Sequence, residues 1–319
     1  ELLRDVLKAP KSPQVVLGPG DDCSAVEFDD EHYLISTTDC LVEGYHFLRN
    51  HIRFCDLGYK SLAVNLSDIS AMGGIPLWCH LSFAFPKSLQ DSDVKQFFSG
   101  IYNLSEKLGI ELLGGDLSAS EEIFINIHLS GLVRKSNIKT RKGFSNGDIL
   151  CVTGDLGDSS AGLKLLLSAQ ESISKKLVQK HRLPPIRSSE ARHLAKWDGV
   201  TGMMDISDGL ASDLLRLNHC DIEIDVDSLP LSKELVRICE TMNWDPYEFA
   251  FAGGEDYELL IAIQQDSFEV IRSDFLKEFS TPLTAIGRVK AGNGHVNFLK
   301  SGHTYKQAYQ PFSHFDFKK

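Results

Sequence analysis

No run of this chain approaches the roughly 20 apolar residues that cross a bilayer, and no signal-peptide pattern is visible at its start. Neither a membrane span nor a secretory leader is expected. The chain opens on Glu1 rather than Met, so residues are expected ahead of it. Positive charge is in deficit: 33 Lys and Arg against 44 Asp and Glu leave a formal charge of −11, without the basic footprint of a general nucleic-acid binder. An anionic substrate would need local cations, metal ions or backbone N–H groups. The seven cysteines are an odd number, with no C-x-x-C pair and no Cys/His spacing of a zinc site. Most are flanked by apolar residues and read as buried free thiols in a reducing cytosol. Also absent are the G-x-x-x-x-G-K-[ST] P-loop, the G-x-G-x-x-G fingerprint, low-complexity tracts and short-period repeats. That excludes the two common nucleotide loops and argues against a solenoid.

What is present is apolar material for two cores. At 319 residues and 42% hydrophobic, the chain exceeds what one core usually serves. "LWCHLSFAF" puts Leu77, Cys79, Leu81, Phe83 and Phe85 on one face, and "IFINIHLSGLV" does the same with Ile123, Ile125, Ile127 and Leu129; both read as half-buried strands. Between them Val94, Phe97, Phe98 and Ile101 recur at helical spacing, with Ser92 or Asp93 as N-cap. The polar turn "KTRKGFSNGD" then precedes a strand, a Gly/Asp turn and a helix in "ILCVTGDLGDSSAGLKLLL", which places a domain boundary between 1–140 and 141–319. In the second half "DIEIDVD" reads as a strand with its acids outward and "YELLIAI" as an inner strand. The fold class is mixed α and β.

Five segments set acids where an apolar run meets small residues: "GPGDDCSAV" with Asp21 and Asp22, "ISTTDCLVEGYHF" with Asp39, "AVNLSDISAMGG" with Asp68, "LLGGDLS" with Asp116, and "GMMDISDGLASD" with Asp205 and Asp208. A single Asp beside Gly is ordinarily a turn residue or helix cap. The last stretch is no calcium loop, because Gly209 falls at the fifth position rather than the sixth and no glutamate follows at the twelfth. Dispersed acids beside apolar runs are costly if buried without partners, whereas magnesium is usually held by a few carboxylates and a substrate's phosphate oxygens. If the last stretch starts a helix, Asp205 and Asp208 lie on nearly one face at its N-terminus, where the dipole also tolerates acids. The pairs Gly73–Gly74, Gly114–Gly115 and Gly253–Gly254 allow a backbone to bend or come close to a ligand. His181 and His193 show no metal spacing and read as surface or packing residues.

The order "GPGDDCSAV", "TTDCLVEGYHF", "VNLSDISAMGG", "LLGGDLS", "GDILCVTGDLGDSSAGL", "MMDISDGLASDL", "AGGEDYELL" and "AIGRV" resembles thiamine-monophosphate kinase, of the superfamily that also holds aminoimidazole ribonucleotide synthetase and selenophosphate synthetase. The resemblance runs nearly end to end. It implies a two-domain α/β fold whose N-terminal sheets pair into a barrel across a homodimer, with the site in a cleft at the domain and subunit boundary. The implied reaction is magnesium- and ATP-dependent conversion of thiamine monophosphate to thiamine diphosphate by direct transfer. Asp22, Thr37, Thr38, Asp39, Asp68, Asp116, Asp205 and Asp208 fall on the family's magnesium positions. Gly115, Arg141 and Ser207 fall on positions associated with ATP, and His46, Glu255 and Phe312 on positions that contact the thiamine substrate. Asp116, Arg141, Asp205 and Asp208 are the residues expected to carry the transfer. Cys40 and Leu117 stand where the family usually has threonine, so a hydroxyl contact near the phosphates is expected to differ, and "QPFSHFD" matches only loosely.

Both reactants are anions, so charge neutralisation precedes everything else, and the acceptor oxygen is already ionised and needs no general base. Three other readings stay open on the residues alone. One is a synthetase of the same superfamily, although no reactive Cys precedes Gly18. The others are a silent nucleotide-binding relative and a metal-dependent phosphohydrolase.

Overall fold

In a computed structural model, the structure describes residues 10–306; Phe312 lies outside them. The chain divides into two compact units, one running through Thr140 and including Ala191–Lys196, the other holding Arg141–Glu190 and the chain from Trp197 onward.

The first unit contains β1 (Val15–Leu17), β2 (Ser24–Glu27), β3 (His32–Val42), α1 (Phe54–Ala71), β4 (Ile75–Phe85), α2 (Asp91–Leu108), β5 (Glu111–Ala119) and β6 (Phe124–Arg134). Its six strands lie in the order β1-β2-β3-β6-β4-β5. The long antiparallel ladder of β3 on β6 runs unbroken from His32 opposite Arg134 to Val42 opposite Phe124. Alternation decides the faces: Ile125, Ile127 and Leu129 on β6 and Cys79, Leu81 and Phe83 on β4 are buried, while His80, Ser82 and His128 are exposed. Helix α1 is buried on nearly every side, and its Ser61, Asn65 and Ser70 side chains donate to the carbonyls of Leu57, Ser61 and Leu66 one turn back, which satisfies polar groups that water does not reach. Helix α2 starts one residue or more ahead of the expected cap. Gln90 is the N-cap, and Asp93 sits at N3, where its carboxylate closes a capping box; Gly109 ends the helix in the left-handed conformation.

The second unit contains β7 (Ile149–Thr153), α3 (Asp158–Leu167), α4 (Lys175–Arg182), α5 (Ser188–Ala195, grouped with the first unit from Ala191), β8 (Val200–Ile206), α6 (Leu210–Leu214), β9 (Asp221–Asp225), α7 (Lys233–Met242), α8 (Pro246–Ala252), β10 (Glu258–Ile263), α9 (Phe268–Glu278), β11 (Leu283–Lys290), β12 (Val296–Lys300) and β13 (His303–Thr304). Its sheet order is β13-β12-β9-β11-β7-β10-β8, antiparallel throughout except for β9 beside β12. Strand β10 is buried at every position between β7 and β8, which is why "ELLIAI" reads as a continuous apolar run. Leu150, Val152, Met204, Ile206, Leu260 and Ile286 from the sheet meet Leu210, Leu214 and Phe251 in one core. Leu165, Leu177, Ile238 and Phe249 pack a second among the helices.

Candidate active site

In the first unit the acids gather where β3 passes under the last turns of α1. Thr37 Oγ1 donates to Asp68 Oδ2 at 2.5 Å, and the Asp39 N–H donates to Asn65 Oδ1 at 3.0 Å. Two residues apart on β3, Thr37 and Asp39 face the helix together. Thr38 points to the opposite, exposed face, where Asn126 Nδ2 donates to its Oγ1 at 2.9 Å and to the Asp39 carbonyl at 3.2 Å. Asp22 is buried two residues ahead of Ser24, whose ladder partner is Ser36, so it enters at the same end of β3. Past that strand the chain turns through His46, whose Nδ1 accepts the Val42 N–H at 3.0 Å. This bond leaves the ring's Nε2 to carry the proton of a neutral imidazole.

Gly115 and Asp116 lie elsewhere in this unit. They sit on the edge strand β5, opposite Leu81 and Ser82 of β4. Ser82 pairs with Asn126 and Asn126 with Cys40, so Asp116 shares a cross-sheet row with Cys40, three strands and about 14 Å from β3. By the same parity its side chain belongs to the face of Thr38 rather than that of Thr37 and Asp39. Leu117, 60% exposed, follows it on an edge that pairs only with β4 among the described residues.

In the second unit Asp205 is 2% exposed and lies inside strand β8, opposite Leu259 of β10, rather than at a helix start. The expected helical face shared by Asp205 and Asp208 is therefore replaced by a strand end followed by a bend. The local reason is Gly209, whose φ of +98° breaks the helical path before α6, and a Cβ there would come within 2.8 Å of the Gly253 carbonyl oxygen. The bend is braced by Asp213, an acid of the same stretch to which the sequence reading gave no role. Its Oδ2 accepts the N–H groups of Ser207 and Asp208, both at 3.0 Å, and its Oδ1 accepts Arg216 Nε at 3.1 Å. Arg216 also pairs with Asp208. Burial pushes the Asp213 carboxyl up to about 7, Asp205 and Asp208 add to the rise, and Arg216 opposes it. Burial depresses the Arg216 guanidinium, but Asp213 and Asp208 outweigh it and hold the group above its usual range; neighbouring Arg141 pushes it down. Arg141, in a 3₁₀ turn (Arg141–Gly143), is thus part of the same local charge balance.

The "GGEDYEL" loop is stitched to this bend. The Glu255 N–H donates to the Ser207 carbonyl at 2.7 Å and the Tyr257 N–H to the Ile206 carbonyl at 2.8 Å. A Cβ on Gly254 would lie 2.7 Å from the Ser207 oxygen, so only glycine lets the two segments meet. Glu255 and Tyr257 take positive φ angles of 67° and 49°, strain that these hydrogen bonds hold in place. The loop's three acids have separate surroundings. Asp256, wholly buried, accepts the Gly157 N–H at 3.0 Å at the start of α3; burial drives its carboxyl well above the usual range. Glu258 is bonded by Arg187 at 2.5 and 2.6 Å and by Thr153 Oγ1 at 2.8 Å. Glu255 is half-buried and meets His181 at 3.0 Å.

His181, predicted as a surface or packing residue, is therefore a buried neighbour of a candidate substrate contact. Its signal was present in the sequence: it stands four residues after Leu177 and three after Val178, on the buried face of α4, amid the basic run "KKLVQKHR" that suggests a surface. No helix among the described residues is long and apolar enough to cross a membrane.

The chain matches the models of the AIR synthase related protein N-terminal domain over residues 20–133 and C-terminal domain over residues 145–300. It is 38% identical over 298 residues to a thiamine-monophosphate kinase of Aquifex aeolicus, covering 92% of each chain. It superposes with TM-score 0.80 and 37% identity on the solved structure of AaThiL complexed with AMPPCP and TMP, covering 90% of this chain and 89% of that one. Thiamine-monophosphate kinase from Stenotrophomonas maltophilia K279a is similar at 28% identity and TM-score 0.78, over 92% and 93% of the two chains.

Proposed function

This chain belongs to the thiamine-monophosphate kinase family of AIR synthase related proteins, and from that premise we propose that it transfers the γ-phosphoryl group of ATP directly to the phosphate of thiamine monophosphate, yielding thiamine diphosphate and ADP. The observation that supports the reading is the hydrogen-bonded seam between the Ser207–Asp208 bend and the Gly253–Tyr257 loop, which adjoins Asp208, proposed to face the phosphates, to Glu255, proposed to face the substrate. The solved complex of a relative with AMPPCP and TMP supports the same pair of substrates.

The donor set fits magnesium. Asp22, Thr37, Asp39 and Asp68 in the first unit and Asp205 and Asp208 in the second offer only carboxylate and hydroxyl oxygens, the ligands of a hard cation, whereas Thr38 and Asp116 lie on the other face of the first sheet. When bound, magnesium neutralises the repulsion between two anionic phosphates and orients the in-line approach. The chain's own residues do the rest. Arg141 and the Gly115 backbone contact ATP, and Ser207 adds a hydroxyl in the braced bend. Asp213 and Arg216 fix that bend before substrates arrive, so no reorganisation is needed during transfer. His46, whose Nδ1 accepts the Val42 N–H, and Glu255 receive the thiamine end, with Phe312 as an additional aromatic contact. The acceptor phosphate oxygen attacks already ionised, and no side chain has to take a proton from it.

A homodimer is part of the reading. The β5 edge, which pairs only with β4 among the described residues and carries Leu113 and Leu117 58% and 60% exposed, is of the kind that pairs with another chain, and barrel closure across two copies would cover it. The enzyme is expected to work in the cytoplasm, where thiols stay reduced. The test is thiamine diphosphate formation from ATP and thiamine monophosphate, with and without magnesium, with free thiamine and water as control acceptors. Metal-dependent product from the monophosphate alone is expected. ATP turnover that ignores the monophosphate would replace this reading with a phosphohydrolase.

A further inference from the structure

Two consecutive acids of the "GGEDYEL" loop grip two different helices. Asp256 accepts the Gly157 N–H at the start of α3, and Glu255 Oε2 lies 3.0 Å from His181 Nδ1 in the last turn of α4. The helices are locked together where a Cβ on Gly162 would meet the Leu177 carbonyl oxygen at 2.2 Å, so α4 has no freedom to slide on α3. His181 is 7% exposed, and its Nδ1 also faces Ser159 Oγ at 3.3 Å. An ionised carboxylate only accepts, so the nitrogen facing Glu255 carries the hydrogen, and Ser159 takes a second share of it. The Glu255 backbone is held at φ +67° by its bond to Ser207. Main chain and side chain of Glu255 are thus fixed from opposite directions, by the phosphate-side bend and by α4.

Resting on the proposed reaction, we infer that His181 is the positioning residue for thiamine monophosphate: it aims the Glu255 carboxylate at the thiamine moiety and acts on substrate affinity rather than on transfer. A residue that orients one binding group raises KM for that substrate while leaving kcat in place. His181→Leu removes the donor and keeps an apolar filler. His181→Asn puts an amide N–H near the position of Nδ1.

The experiment is steady-state kinetics on both variants with each substrate varied, alongside thermal melts. His181→Leu is expected to raise KM for thiamine monophosphate about tenfold, with kcat and KM for ATP within about twofold of wild type; His181→Asn is expected to recover most of the loss. In a Glu255→Gln background His181→Leu is expected to add little, because both act through one contact. If the Leu variant does not fold, His181→Gln, whose amide is displaced from the Nδ1 position, takes its place. An unchanged KM in folded His181→Leu overturns the positioning role, as does a parallel rise in both KM values or a failure of Asn to recover what Leu loses. Wild-type protein that makes no thiamine diphosphate overturns the proposed function itself, a result distinct from active wild type with an indifferent His181.

Discussion

The bend after β8 and the edge strand β5 both carry an Asp beside glycine, and the molecule treats them in opposite ways. At the bend, Asp213 bonds two backbone N–H groups and Arg216, while the neighbouring loop adds two backbone bonds to Ile206 and Ser207. On β5, Asp116 and Leu117 lie exposed on a strand with one neighbour among the described residues. The acids of the bend are preorganised inside their own unit, because like charges stay together only when dipoles and cations hold them. The β5 acid sits on an edge that another chain can complete.

The comparison breaks first at Asp205. Asp205→Asn preserves shape and burial, so the melt should stay close to wild type while kcat falls by about a hundredfold or more; wild-type turnover at saturating magnesium would remove Asp205 from the mechanism. Next in size is the brace below the loop. Half-buried Arg187 bonds Glu258, Glu190 and Thr281, and Arg187→Leu strands the buried Glu258 carboxylate, costing about 3–5 kcal/mol in denaturant unfolding. A loss below about 1 kcal/mol would show the network to be dispensable. On the edge, Leu117→Asp should leave the stability of a single chain within about 0.5 kcal/mol and lower the mass seen by light scattering from dimer to monomer. An unchanged mass would place any dimer contact elsewhere.

The smallest effect belongs to an exposed pair in the second unit. Arg237, followed by Ser174, holds the Glu234 carboxyl down at about 2 from an ordinary 4.5. A depressed carboxylate stabilises fully above its unfolded value, so this contribution is present above about pH 4.5 and disappears as pH falls towards 2. Solvent screening keeps it to a fraction of a kcal/mol. Glu234→Gln should lose that fraction of a kcal/mol at pH 7 and slightly flatten the acid limb of the stability curve, with no difference left near pH 2. A loss above about 1 kcal/mol at neutral pH would mean that the pair does more than a solvent-screened ion pair can.

The alternating strands were legible because side-chain period is a local property. "LWCHLSFAF" and "IFINIHLSGLV" became β4 and β6 with Cys79, Leu81, Phe83, Ile125, Ile127 and Leu129 buried and Leu77 and Phe85 half-buried, and "YELLIAI" became the inner strand β10. The acid motifs and their order were equally visible, and they led to the family. The state of Asp205 was not legible. A three-residue spacing fits a helix as well as a strand followed by a bend, and the choice was made by pairing with β10, more than 50 residues away in sequence. The roles of Asp213 and His181 were hidden for a related reason: which donor meets an acid depends on contacts between segments.

The sequence by itself determined the mixed α and β class, the strands that face a core, and the acids, oxygen ligands by chemistry, that the family reading draws on. The tertiary structure decided which acids share a bend, that Asp116 lies three strands from Thr37 and Asp39, that Asp256 and Glu258 are spent on a helix start and on Arg187, and that Glu255 is left to His181. Residue type and spacing are fixed by the covalent chain. Proximity between distant segments is fixed by strand register and by helices meeting at Gly162 and Leu177, which no local window contains.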